Sequence, residues 1–195
     1  NHGLKNTLIA NNTIILPPGP LPNTDVMGIF LQDNTTPSGV NRDVGTRIEN
    51  NIICSTNPLP LLSLAGALPS HGITQRNNLY YSPSPATAFR TGEGPSKLHS
   101  LRGVPGYLLD QVKSAFSGIG GFADWQRLGV DSDSRFTDPR LADISALQGK
   151  APAVYAYRNA NPRTDSPALG SGIAQREFSD NLAKQLRQSW NIGAF

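Results

Sequence analysis

A single cysteine, Cys54, in a chain of 195 residues excludes an internal disulfide framework and any CxxC metal knuckle. Charge is also scarce. Only 16% of residues are charged, 17 basic against 14 acidic, which argues against a dense phosphate-binding surface, and nucleic acid is not an expected partner. No apolar run approaches the ~18 residues of a spanning helix, so no membrane span is expected. Long stretches of Ala, Glu, Lys and Leu are missing, and with them the composition of a helical bundle. What is abundant is Gly (19), Pro (16) and Asn, the composition of many short strands and turns. The length suits one domain with a real core, in which Cys54 is expected to pack as a small hydrophobe. The chain opens on Asn1 with no basic and apolar leader. The expectation is a C-terminal portion of a processed or truncated protein, with any secretion signal upstream.

The stretch "RIENNIICS" (47–55) places two asparagines inside an apolar, β-branched run, and "LIANNTIIL" and "TQRNNLYYS" repeat it. Aligning Asn11-Asn12, Asn50-Asn51 and Asn77-Asn78 brings Ile9 into register with Ile48, and Ile14 with Ile53 and Tyr80. Ile48 and Ile53 are an odd number of positions apart, so a straight strand would send them to opposite faces. Asparagine is the non-glycine residue that most readily enters the left-handed region. An Asn pair can therefore turn a corner between two strands whose apolar residues both point inward. Coils stacked at strand spacing, about 4.8 Å, would align the amides of Asn50 or Asn51 in a hydrogen-bonded column. The unequal spacing of the pairs is absorbed by the loops "PPGPLPN" and "TTPSGVNRD". A second strand per coil is read at "GIFLQ", "LPLLSL" and "TAFR". Gln75, at the position of Ile9 and Ile48, predicts a weakening or a wet spot in the core.

From about Gly106 the pattern changes. "YLLDQVKSAF" reads as a short helix and "FADWQRL" as a second short helix or a turn, packed on the flank or end of the coils. Phe178, Leu182, Leu186 and Trp190 form a helical stripe within Glu177–Ser189. The expected division is 1–105 as coils and 106–195 as the last coil, flanking helices and cap of the same domain, covering the stack's end.

The coil motif, the order "FADWQRLGVDSDSRFTDPRL", "YAYRNANPRTDSPALGSGI" and the tail "NIGAF" together resemble secreted bacterial proteins of the pectate-lyase type. The likeness is to their C-terminal region with an IGAF-type tail. It is carried by Trp125, Gly129, Asp131, Ser134, Asp138, Pro139, Tyr157, Ser166, Pro167, Ala168 and Gly193. It implies an all-β, right-handed parallel β-helix, secreted or at the cell surface, that binds or processes polysaccharide. If the chain is an enzyme, the resemblance implies a lyase or glycoside hydrolase. The alternative is a non-catalytic structural or assembly module of a surface complex or filament. The chain departs from the family at the long Glu177–Ser189 stretch and at Asn191, where Asp is commoner.

Lyases on this fold neutralise a uronic carboxylate with basic residues, sometimes with calcium. Lys5 and His71 are equivalent by register, as are Glu49 and Arg76, for which a solvated surface bridge is expected. The substrate-binding candidates are Lys5, Arg42, Asp43, Arg47, His71 and Arg76; no catalytic residue is assigned, because no GxSxG, HExxH or P-loop occurs. His2, His71 and His99 lack ligand spacing, so no metal site is expected. Asp131, Asp133 and Asp138 offer carboxylate density for calcium, but turn bonds are the expected use and no cofactor is assigned. Polysaccharide, and another chain or upstream coils at the N-terminal end of the stack, are the expected partners.

Overall fold

The computed structural model describes residues 4–16, 27–32, 34–36, 39–41, 44–65, 72–91, 118–129, 131–142, 160–180 and 184–194. The first coil is β1 (Leu8–Ala10), β2 (Thr13–Leu16) and β3 (Ile29–Gln32). A small hairpin, β4 (Asn34–Thr36) and β5 (Gly39–Asn41), follows. The second coil is β6 (Arg47–Glu49), β7 (Ile52–Ser55) and β8 (Leu62–Ala65). The third is β9 (Thr74–Arg76), β10 (Leu79–Tyr81) and β11 (Phe89–Thr91). After β12 (Gly118–Gly120) and helix α1 (Phe122–Arg127), a fourth, partial coil consists of β13 (Asp131–Ser132) and β14 (Arg135–Phe136).

Each strand pairs in parallel with its equivalent in the next coil, giving sheets ordered β1-β6-β9-β13, β2-β7-β10-β14 and β3-β8-β11; β12 closes the last by antiparallel pairing with β11. The molecule is a parallel β solenoid. Its register agrees with the alignment of the asparagine pairs: Ile9 faces Ile48 and Ile48 faces Gln75, while Ile14 faces Ile53 and Ile53 faces Tyr80.

The first asparagine of each pair takes the left-handed conformation, with φ of 54° at Asn11, 55° at Asn50 and 53° at Asn77. The reversal lets Ile48 and Ile53 share one buried cluster despite their odd spacing. Asp133 (φ 57°) and Ser134 repeat the corner in the fourth coil. A second left-handed column precedes the first sheet at Asn6, Gly45 and Gly72, where glycine meets positive φ without a Cβ penalty.

The second asparagines form the amide ladder. Asn51 Oδ1 accepts from the backbone N–H and Nδ2 of Asn12, at 3.0 and 2.9 Å. Asn78 Oδ1 accepts from both corresponding groups of Asn51 at 3.0 Å, and Ser134 Oγ accepts the Asn78 N–H at 2.9 Å. Asn51 Nδ2 also reaches the carbonyls of Ile9 and Glu49. The side-chain amides that the corner turns inward are thus met by groups of their own and the neighbouring coils, which is why an amide suits the position and an apolar residue would not.

The interior holds Leu31, Ile48, Ile53, Leu62, Leu64 and Tyr80, each contributing about 1.5–3 kcal/mol by leaving water. At its C-terminal end the core turns aromatic: Phe89 meets Tyr80 edge-on at 5.0 Å and stacks on Trp125 of α1 at 4.9 Å. The short helix starts where Asp124 Oδ2 accepts the Gly121 N–H, and it buries only Trp125 fully. Gln75 is half satisfied: its Oε1 accepts from Trp125 Nε1 at 3.1 Å and Tyr80 OH at 3.3 Å, tying the helix to the last coils, while its buried Nε2 has no partner among the described residues, a polar break in the core of the kind expected there.

A second cluster lies outside the second sheet, where Ile52, Cys54 and Leu79 are covered by Leu141, Ala168 and Ile192. That sheet is therefore buried on both faces, and "IICS" reads as a continuous buried run instead of an alternating one. Cys54 packs there, and burial, followed by the charge of Asp138, pushes its thiol up to about 12.

The helix expected over Glu177–Ser189 is corrected. Asp180 and Leu186 form an antiparallel bridge, the Arg187 N–H donates to Ser179 O at 2.8 Å, and Leu186 is 77% exposed. Phe178 and Trp190 do meet, with ring centroids 5.6 Å apart, because the segment doubles back on itself. Two aromatic residues that look like a stripe are brought together equally well by a hairpin. Leu182, and the helix read at "YLLDQVKSAF", lie outside the described residues. None of the described helices is long and apolar enough to cross a membrane.

Candidate functional site

The candidate site is a depression of about 270 Å³ on the first sheet, lined by Arg47, Glu49, Thr74, Arg76, Ser132 and neighbouring atoms of Gln75, Gly129 and Asp131. Strand parity sorts these residues. Ile48, Gln75 and Asp131 occupy the inward column of β6, β9 and β13, so Arg47, Glu49, Thr74, Arg76 and Ser132 occupy the outward one.

Glu49 anchors the site. Although it stands on the outward face it is only 1% exposed. Its Oε1 accepts from Arg76 Nε at 3.0 Å and lies 3.8 Å from Arg47 Nη1, while Oε2 has no hydrogen-bond partner among the described residues. The expected solvated bridge is thus corrected to an ion pair with a buried carboxylate, in which loss of one partner strands a charge away from water. Arg76 is held through Nε, and its two terminal nitrogens have no partner among the described residues. Arg47 has a second partner, Glu177, which holds its Nη2. The Glu177 carboxyl is kept below its usual range, first by its own backbone N–H, against an opposing effect of desolvation, and further by the hydrogen bond and charge of Arg47.

Glu177 belongs to a C-terminal strap laid along the outer corner of the coils. Asn11 Nδ2 donates to the carbonyls of Asn191 and Gly193 at 3.1 and 3.2 Å. Asn50 exchanges bonds with Ile173, Nδ2 to its carbonyl at 2.7 Å and Oδ1 from its N–H at 2.9 Å, and Asn77 Nδ2 donates to Ser171 O at 2.6 Å. The Gly193 N–H returns a bond to Asn50 O. Within the strap, Gly172 donates to Trp190 O, and a Cβ on Gly172 would stand 2.6 Å from Asn191 O, so the two runs meet only with glycine there. Asn191 Oδ1 accepts the Gly170 N–H at 2.8 Å, a bond that an aspartate oxygen would accept as well, so the departure at this position leaves the geometry intact.

Asp131 is a different case. Its carboxylate lies on the interior side, and burial raises its pKa from 3.8 to about 6; Ser134, Tyr80 and Trp125 oppose the rise, and the charge of Asp133 adds to it. None of those donors closes to an ordinary hydrogen bond, and both oxygens lack a partner among the described residues. Burial, then the charge of Asp131, also lifts Tyr80 well above the usual phenol range. Glu49 and Asp131 therefore stand on opposite sides of one sheet and do not form a facing carboxylate pair.

Among the sequence candidates, Arg47 and Arg76 meet in the depression. Lys5 is exposed and bridges to Val44, outside the lining. Arg42, Asp43 and His71 lie outside the described residues. Thr74 and Ser132 were legible by extending the register through the Asp133-Ser134 corner; Glu177, 130 residues from Arg47, had no sequence signal. Of the three acids, Asp138 makes the expected turn bond, its Oδ1 accepting the Arg140 N–H at 2.8 Å; Asp133 turns the corner through its backbone, and Asp131 makes no such bond among the described residues. No group of three or more potential ligands that could hold a metal occurs among the described residues. Comparison of the chain with family models, curated proteins and solved structures gives no match.

Proposed function

We propose that the protein is a secreted or cell-surface right-handed β-helix of the pectate-lyase type that binds polysaccharide in the depression on its first sheet. The observation that carries this reading is a row of polar groups open on one face: the terminal nitrogens of Arg76, whose guanidinium is fixed by the buried Glu49, flanked by the exposed hydroxyls of Thr74 and Ser132. Sugar hydroxyls both donate and accept, and this arrangement offers both complements along one face. Hydrolytic cleavage is not favoured, because Glu49 and Asp131 lie on opposite sides of the sheet and no second carboxylate stands across the depression from Glu49 among the described residues.

The test is a panel of uronate and neutral glycans, followed for binding by calorimetry and for cleavage by unsaturated product and new reducing ends. Binding without either product is expected, with affinity lost in Ser132→Tyr, which fills the depression from an exposed position, and reduced at least tenfold in Arg76→Met. Cleavage abolished by Ser132→Tyr would replace binding by catalysis, and binding unchanged in both variants would remove the site.

A second reading is an assembly module. It is favoured by β1, β2 and β3, which form the outer edges of three parallel sheets at one end of the stack. Concentration-dependent association measured by light scattering, and abolished by Ile14→Pro, would support it.

A further inference from the structure

We infer that Glu177 is a built-in competitor: its carboxylate occupies on Arg47 the place that the carboxylate of a bound acidic sugar takes when it enters the depression. The inference rests on the polysaccharide reading above and narrows it to carboxylated sugars.

Charge is the first argument. Without the strap, the two guanidinium groups on the outward face of the depression, Arg47 and Arg76, share one carboxylate, Glu49, while Asp131 enters the lining from the interior side. One more carboxylate on the outward face completes the pairing, and Glu177 supplies it from within the chain. The second argument is asymmetry of attachment. Glu49 is buried and fixed between two arginines, whereas Glu177 and Arg47 are 45% and 37% exposed, so solvent screens their attraction and little is lost when one anion replaces another. The third is support. The strap is fastened through backbone and asparagine bonds at residues 171–173 and 191–194, so Glu177 can swing off Arg47 without unfastening it.

The experiment compares binding of de-esterified oligogalacturonate and its methyl ester to the wild type, Glu177→Gln and Ser132→Tyr by calorimetry. Circular dichroism checks that folding is unaltered by changes at these exposed positions. Glu177→Gln is expected to bind the acid about 2- to 5-fold more tightly, the scale of one exposed ion pair, and the ester with wild-type affinity. If the acid binds the wild type, Ser132→Tyr abolishes that binding and Glu177→Gln leaves it unchanged or weaker, the competitor is overturned while the polysaccharide site stands. An equal gain for acid and ester also overturns it, because charge is then not what Glu177 contributes. No binding of either probe by any variant overturns this inference together with the reading on which it rests.

Discussion

Asn50 and Asn51 are adjacent, identical in chemistry and equally buried, yet they belong to two regions of the molecule with different physics. The Asn51 column faces along the stack, amide to amide, and holds coil to coil. The Asn50 column sits at positive φ and turns its amides mainly to the C-terminal strap, with one bond along the stack, Asn50 Nδ2 to Asn11 Oδ1 at 3.3 Å. One position needs side-chain hydrogen bonds in both axial directions; the other needs a left-handed backbone and a receptor for another segment. A repeated Asn-Asn pair is thus two unlike requirements that happen to select the same residue.

Substitutions separate the two. Asn51→Ala would leave the Asn12, Asn78, Ile9 and Glu49 groups without their partner and should cost about 3–5 kcal/mol in denaturant unfolding, with Asn51→Gly no better. Asn50→Ala should cost about 2–4 kcal/mol, of which Asn50→Gly recovers about 1–2 because glycine accepts φ of 55°. Equal rescue by glycine at both positions would erase the distinction.

The fourth coil sharpens the comparison from another side, because Asp131 stands where the first coils have Ile9 and Ile48. Its pKa is raised to about 6 from 3.8, so the folded state binds a proton more readily than the unfolded chain. This contribution is fully present below pH 3.8, declines as pH rises through the window to about 6, and is absent above it, a change of up to about 3 kcal/mol. Asp131→Asn should therefore raise the melting temperature at pH 7.5 and leave it nearly unchanged at pH 4. A pH-independent effect would show that the carboxylate is not desolvated. The smallest effect is expected at Leu186. Leu186→Ser should change stability by no more than about 0.5 kcal/mol, whereas a residue on a packed helical stripe would cost several times that.

The coils were legible because a corner imposes its chemistry locally: an odd spacing between Ile48 and Ile53, a residue that tolerates positive φ, and an amide that must be met. The fourth coil was harder to read because Asp133 and Ser134 satisfy the same two requirements with different residues. Beyond the coils the signal fails for a physical reason. Phe178 and Trp190 contact each other across a hairpin, but their spacing also fits a helix, and periodicity cannot separate the two. For the site, register placed Arg76 beside Glu49, while the second partner of Arg47, Glu177 of the strap, comes from 130 residues away in sequence.

The stacking of corners is tested most directly by cysteine cross-linking in register. Arg47 and Thr74 are paired across adjacent parallel strands, where Cα atoms stand about 4.8 Å apart, within disulfide range; Arg47 and Arg76 are offset by two residues, at about 8 Å. Native Cys54 is buried and does not compete. Mild oxidation should close an intramolecular disulfide in Arg47→Cys/Thr74→Cys and not in Arg47→Cys/Arg76→Cys. Failure of the first pair, or equal closure of both, would contradict the stacked parallel coils.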